Sequence, residues 1–202
     1  MGERQKFTPA QEPDGVLGKI VRLTADGKSA SGNPLAGKGF DPAVWSYGHR
    51  NPLGLAFDSQ GRLWDAEMGP KGGDEVNLIL PGRNYGWPIV SNGNHYDGRP
   101  IPDHPERPEY EAPKVSWNPS ISPSSLLFYS GGLFPGWQGK ALVGALSGEA
   151  LILVATDADG AREETRYAMG KRIRAVDQGP DGAVYLLEDK EGGRLLRLTP
   201  AG

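Results

Sequence analysis

The sequence predicts an all-β fold built from propeller blades, and three observations point there. Strand-length apolar runs are separated by glycine- and proline-rich turns. No long amphipathic helix is legible. Segments also recur. GKIVRLTADG (18–27) returns as GRLLRLTPAG (193–202), with GEALILVATDADG (148–160) as a looser third copy, and LAFDSQGRLWDAE (55–67) is echoed by VDQGPDGAVYLLED (176–189). Each unit reads strand, Asp-Gly-type turn, strand, then a later strand ending in a polar turn, which is how a four-stranded blade is written. The chain then holds about three to four blades, fewer than a closed ring usually needs, so residues 1–202 are read as one partial propeller. A β-sandwich whose hairpins look alike by chance is the alternative.

In chain order the expected strands are Lys19–Thr24, Leu53–Phe57, Arg62–Asp65, Glu75–Leu80, Leu126–Tyr129, Ala141–Ala145, Ala150–Ala155, Ala183–Leu187 and Arg194–Thr199. Each is rich in β-formers and bounded by turn residues. The 30 glycines and 18 prolines punctuate these runs instead of forming disordered tracts. Two turn-rich segments, Asp26–Trp45 and Ser91–Pro119, do not fit the blade spacing, and loops of that length are usually functional or poorly ordered.

Composition excludes several classes of partner. Hydrophobic residues make up 37%, and no stretch approaches the roughly 20 apolar residues of a membrane span. A formal charge of -3 without a basic run offers no surface for nucleic acid. With no cysteine there is no disulfide, zinc–thiolate site or thiol nucleophile. The start, MGERQKFTPAQEPDG, lacks an apolar core of signal-peptide length, so the expected location is the cytoplasm unless a leader lies outside this sequence. The phosphate-loop, serine-hydrolase and zinc-protease motifs are missing as well.

Three local features carry chemistry. Tyr47-Gly48-His49-Arg50-Asn51-Pro52 sets an imidazole, a guanidinium and an amide side by side before a strand; Arg50 can fork onto a carboxylate, while Asn51 can donate and accept. On the plainer reading, His49 caps a turn and Arg50 is a surface charge. Arg172 and Arg174, two apart in extended backbone, point the same way and repel unless an anion lies between them, although an Arg-x-Arg on a wet surface needs no ligand. Third, the glycines at 69, 72 and 73 let the main chain expose carbonyl oxygens, and Asp74 and Glu75 add hard anionic ones. That mixture suits calcium better than zinc or magnesium, yet a Gly-Gly-Asp turn needs no ion. His95 and His104 lack a standard metal-ligand spacing and read as loop residues.

The ordered segments YGHRNPLGLAFDSQGRLW, EMGPKGGDEVNLILPGRNYGWP, WNPSISPSS, FPGWQGKALVGAL and KRIRAVDQGPDGAVYLL together resemble the later part of the soluble quinoprotein glucose/sorbosone dehydrogenases, in particular their aldose sugar dehydrogenase branch. The resemblance runs from about Gly18 to the end of the chain. It implies a six-bladed propeller that binds pyrroloquinoline quinone (PQQ) and calcium and oxidises the anomeric carbon of an aldose, with a soluble electron acceptor and a periplasmic or secreted location. By the same resemblance, Gly69 and Pro70 supply carbonyls to the calcium that docks the quinone, whereas Asp74, Glu75 and Tyr85 lie around a second, structural calcium. Arg50 and Asn51 match quinone-contacting positions, Arg172 and Arg174 match the pair that grips its carboxylates, and Trp117 matches an aromatic near its ring.

The sequence departs from the family pattern in several places. None of His49, His95 or His104 matches the family's general base, whose loss is worth roughly 10²- to 10⁴-fold. Ser147 stands where many members have a lysine, Met68 where a histidine is frequent and Ala175 where an aspartate is frequent. The chain therefore reads as the C-terminal portion of an aldose dehydrogenase, as a quinone- and calcium-binding fragment without turnover, or as a ligand-free structural fragment. An incomplete ring leaves sheet faces and a strand edge open, so a dimer or a complementary N-terminal propeller half is the expected partner.

Overall fold

The computed structural model describes residues 9–157 and 160–201. The segment at 1–8, which includes most of the stretch read for a leader, lies outside the described residues, as do 158–159 within the third repeat copy and Gly202 at the end of the second.

Among the described residues, fifteen strands form an all-β array whose regular helices are single 3₁₀ turns. Strands β1 (Lys19–Val21) and β2 (Val44–Tyr47) make a two-stranded sheet. A four-stranded sheet follows, in the order β3 (Pro52–Phe57), β4 (Leu63–Glu67), β6 (Asp74–Leu78), β8 (Val115–Trp117). A second has the order β9 (Pro123–Phe128), β10 (Ala141–Ala145), β11 (Ala150–Thr156), β12 (Ala161–Ala168). The last holds β13 (Ile173–Gln178), β14 (Val184–Glu188) and β15 (Leu195–Leu198). A small ladder between β5 (Lys71–Gly72) and β7 (Gly93–Asn94) sits apart. Every named pairing is antiparallel, and the first strands β3, β9 and β13 stand beside one another, as inner strands of successive blades do. The described sheets do not close into a ring.

The internal repeat follows this topology. GEALILVATDADG supplies β11 and GRLLRLTPAG supplies β15, each the third strand of its sheet, and the GKIVRLTADG copy supplies β1. The other echoed pair covers β3–β4 and β13–β14, the first and second strands of their sheets. Both repeats therefore mark positions within a blade.

Period-two alternation splits the central blade between two cores. Ala141, Val143, Ala145, Ile152 and Val154 pack with Trp64, Val76, Trp117 and Phe128 on one side. Leu142, Leu151 and Leu153 pack with Tyr129, Ile173, Val184 and Leu186 on the other. A sheet buried on both faces needs unbroken apolar runs, which is why β10 and β11 were legible without alternation. The converse explains what was missed: β12, AREETRYA, is a largely exposed outer strand with four charged residues. The segment Ser91–Pro119 is also more ordered than expected, since it contains β7, a 3₁₀ turn at His104–Glu106 and β8. Likewise β2 forms at the end of the first long segment.

Candidate functional site

The turns at one end of the sheets enclose an open cleft of about 1420 Å³. The segment before β3 brings Arg50 and Asn51, the β4–β6 connection brings Gly69, Pro70, Lys71 and Asp74, and the β8–β9 connection brings Asn118 and Ser122. Ser147 comes from the β10–β11 turn, and Arg172 and Arg174 from the start of β13. Thus seven of the ten residues singled out from sequence meet on one surface; Glu75, Tyr85 and Trp117 lie elsewhere.

Glu67 organises the Arg50–Asn51 corner. Its Oε2 accepts the backbone N–H groups of Arg50 (2.8 Å) and Asn51 (3.1 Å), which fixes the direction in which both side chains leave the main chain. The Arg50 Nη1 donates to the Met68 carbonyl at 2.8 Å, and its guanidinium lies over the Trp87 ring at 5.4 Å. Its Nε is buried without a hydrogen-bond partner among the described residues, which leaves a donor for an anion.

The anion expected between Arg172 and Arg174 exists, and the chain itself provides it. Arg172 Nε donates to Asp189 Oδ2 at 2.9 Å, while Arg174 donates from Nη2 to Oδ2 (3.2 Å) and from Nε to Oδ1 (3.3 Å). The hydrogen bond from Arg172 and the charge of Arg174 hold the Asp189 carboxyl below its ordinary range.

In the glycine-rich turn, a Cβ on Gly69 would fall 2.2 Å from the Gly73 carbonyl oxygen and 2.4 Å from that of Gly72. Only a residue without a side chain lets these oxygens crowd the turn. Asp74 does not offer a free ligand: its Oδ1 accepts the Gly69 N–H at 2.9 Å, and its Oδ2 accepts those of Ile121 and Ser122 at 2.7 and 2.6 Å. Glu75 and Tyr85 instead line a niche of about 10 Å³ together with Glu67, Gly69 and Pro70. The Tyr85 hydroxyl is in use, donating to the Leu78 carbonyl (2.5 Å) and accepting the Leu80 N–H (2.9 Å).

Trp117 requires a correction. It is buried in the core between the two four-stranded sheets, where its indole N–H donates to Glu163 Oε2 at 2.6 Å, and it does not line the cleft. Being the last residue of β8, it follows the alternation of that strand inward; Asn118 and Pro119, which come next, reach the cleft.

A buried polar set behind the cleft was not anticipated. His49, Asp65 and Glu67 place potential ligating atoms within 4.8 Å of one another. His49, in the β2–β3 connection, is buried 2.9 Å from Ser46 Oγ and 3.2 Å from Glu67 Oε1, with its ring stacked on Tyr85. Asn77 Nδ2 donates to Asp65, Glu67 and Glu75 at 3.1, 3.0 and 3.3 Å. Burial first, and the Glu67 charge second, push the Asp65 and Glu75 carboxyls well above their ordinary range. The signal was present as WDAE and DEVN, in which polar residues alternate inside strands that otherwise read as core.

Comparison with known proteins follows the same lines. The family model for glucose/sorbosone dehydrogenase matches residues 1–197. An aldose sugar dehydrogenase of Escherichia coli is 39% identical over 206 residues, covering 99% of this chain and 56% of that protein. The crystal structure of the soluble aldose sugar dehydrogenase from E. coli in its apo form superposes with a TM-score of 0.91 at 38% identity, covering all of this chain and 60% of that one. A PQQ-bound aldose sugar dehydrogenase from Streptomyces coelicolor superposes with a TM-score of 0.77 at 30% identity, covering 98% and 56%. The chain thus spans a little over half the length of these relatives.

Proposed function

This chain belongs to the glucose/sorbosone dehydrogenase family, and from that premise we propose that it is the cofactor-holding C-terminal portion of a PQQ- and calcium-dependent aldose dehydrogenase. One observation carries the reading: three guanidiniums, at 50, 172 and 174, converge with Gly69 and Pro70 on a single cleft. A triply acidic quinone docked on a divalent cation calls for that combination of charges.

The residues present fit both groups. For the quinone there are the orphaned Nε of Arg50 and the open Asn51 beside it. For calcium there is a turn that crowds carbonyl oxygens and that carries no histidine or cysteine, the side chains a softer metal would prefer. In the role of a structural calcium site, Glu75 fits, because it shares the niche with Glu67; the Asp74 carboxylate and the Tyr85 hydroxyl have their hydrogen bonds filled. When bound, PQQ supplies the acceptor for the hydride of the sugar's anomeric carbon, and calcium polarises its carbonyl edge. Arg172 and Arg174 would neutralise its acidic groups, Arg50 and Asn51 would orient it, and Gly69 and Pro70 would present oxygens to the cation.

No histidine lines the cleft among the described residues. His49 is buried in the β2–β3 connection and held by Ser46, and His104 is buried, within 3.2 Å of Asn92 and 3.4 Å of the Tyr85 carbonyl oxygen. Among the described residues the proton of the sugar hydroxyl thus has no assigned acceptor on the cleft, and quinone and calcium binding without turnover is carried as a second reading. A periplasmic or secreted location and a soluble electron acceptor belong to the same proposal.

Titration calorimetry with PQQ, with and without calcium, tests the binding half. Saturable, calcium-dependent binding that is lost in Arg172→Ala/Arg174→Ala supports it, whereas no heat in either condition removes it. Dye-linked aldose oxidation by the PQQ-loaded protein then separates the enzyme from the binding fragment.

A further inference from the structure

We propose that Asp189 is a positioning residue: it sets the two guanidiniums of Arg172 and Arg174 side by side at the rim of the cleft before any ligand arrives. The inference rests on the cofactor reading above for its consequence, but its geometric basis is independent of it.

A single carboxylate takes three hydrogen bonds from the two arginines, at 2.9, 3.2 and 3.3 Å. Neither guanidinium has another hydrogen-bond partner among the described residues. Without Asp189 two like charges on one strand face would splay apart and sample many rotamers. With it, the Nε groups point backward and the remaining N–H groups are left for the cleft.

Asp189 is itself held rigidly. Its backbone N–H donates to the Arg172 carbonyl at 2.8 Å, so the residue is tied to the strand that carries the arginines. The turn after it is clamped by Glu188, whose carboxylate accepts from Arg194 N, Nε and Nη2 at 3.1, 2.9 and 2.6 Å. Lys190 completes the bend at φ 76°. Between the arginines, the Ile173 carbonyl accepts the Ser124 hydroxyl at 2.7 Å and fixes the strand against β9 of the preceding blade.

Its location separates this role from that of a competitor for the ligand. Arg172 and Arg174 line the cleft, but Asp189 does not; it borders a separate hollow of about 160 Å³ that Arg172 also lines. The carboxylate therefore stands behind the arginines as seen from the cleft. Two guanidiniums sharing one negative charge keep a net positive charge toward an incoming polyanion, in a fixed orientation that lowers the ordering cost of binding.

The test has two arms. In the first, the Arg Nε–H resonances are followed by NMR in the ligand-free full chain. Two exchange-protected signals should vanish in Asp189→Asn and persist in Asp189→Glu, while the Arg50 signal stays. Persistence of both signals in Asp189→Asn overturns the proposal. In the second arm, PQQ affinity in the presence of calcium should fall about tenfold in Asp189→Asn, the loss of one well-oriented charged contact, and return to within about threefold in Asp189→Glu. Calcium affinity measured without PQQ should stay unchanged. Equal or tighter PQQ binding by Asp189→Asn overturns the proposal, because removing a mere nearby negative charge would strengthen the binding of an acid. If the wild type binds no PQQ, the cofactor reading fails, and the NMR arm still decides the positioning role.

Discussion

The carboxylate of Asp74 accepts the Gly69 N–H at 2.9 Å while its other oxygen holds the N–H groups of Ile121 and Ser122, so one side chain joins the glycine-rich turn of one blade to the entry of the next. Burial raises its carboxyl, and the three N–H groups oppose that rise. Replacement by alanine strands three donors, and an unsatisfied buried group costs about 1–3 kcal/mol. Asp74→Ala should therefore lose about 3 kcal/mol of unfolding free energy in urea and abolish calcium binding. Asp74→Asn, which still accepts, should lose less of both.

Gly73 has φ +68°, and a Cβ there would lie 2.5 Å from the Gly93 nitrogen and 2.7 Å from the Asn92 carbonyl carbon. Both are backbone atoms, so relief requires moving the β5–β7 ladder. Gly73→Ala should cost about 2 kcal/mol or more, the left-handed strain plus the clash. Gly98, at φ +90° with nothing within 4 Å, isolates the strain component, and Gly98→Ala should cost about 1 kcal/mol. Thermal unfolding of the two variants side by side measures the difference.

The Asp65 and Glu75 carboxyls have folded-state values raised well above their unfolded ones. The folded protein then binds more protons than the unfolded chain at pH values above about 4, so stability falls as pH rises from there through the folded values. Asp189, Asp181 and Glu188 have lowered values and lose their contribution only as pH falls below the ordinary carboxylate range, so the two windows do not overlap. Asp65→Asn removes one raised group while its amide oxygen can still accept from Asn77. The melting temperature of the metal-free protein should decline as pH rises above the ordinary carboxylate range, and the decline should be shallower in Asp65→Asn. Parallel curves for the two proteins would show that Asp65 is not the source.

Much of the fold was legible because this sequence writes its strands as apolar runs and repeats them at fixed places in the blade. The Ala141–Ala145 strand has the bounds expected of it, and β11 and β14 shift by about one residue. The polar outer strand β12 and the three-residue β8 carried no such signal; each exists because a neighbouring strand offers it a ladder. At the site, Arg50, Arg172 and Arg174 could be singled out because charged residues beside a strand start are conspicuous. Asp189 could not be, since its role depends on the β14 exit folding back onto the β13 entry, 15 residues from Arg174 in sequence. Trp117 shows the opposite case: the family resemblance set it near the quinone ring, and the alternation of β8 turns its side chain into the core.

Ser147 lies on the cleft, its Oγ 2.8 Å from that of Ser122 and donating to the Ser120 carbonyl at 3.1 Å. A lysine there would give up these two exposed contacts and add a fifth cationic group to a cleft already lined by Arg50, Lys71, Arg172 and Arg174. Ser147→Lys should tighten PQQ binding by about tenfold at low ionic strength, in line with a hydrogen bond to a charged group. The gain should shrink as salt is added. Calorimetry at two salt concentrations checks both statements, and an affinity indifferent to the substitution would place the quinone's acidic groups away from this turn.

An apolar groove of about 640 Å³ runs between the β1–β2 pair and the outer face of β3, lined by Ile20, Leu23, Trp45, Leu55, Phe57 and Leu63. Phe57 is 67% exposed and Leu55 53%, on a strand that opens the first complete blade. Side chains of this size in contact with one another are usually covered. We therefore expect the described chain to associate, either with a second copy or with a complementary chain that lays strands against β3. Light scattering should show the mean mass rising above 21.6 kDa with concentration. Leu55→Ser/Phe57→Ser should suppress that rise and change unfolding stability by no more than about 1 kcal/mol, because neither side chain contributes much buried area to the isolated fold. A mass that stays at the monomer value across the same range would mean that the groove is tolerated in water, and the expected partner would have to be given up.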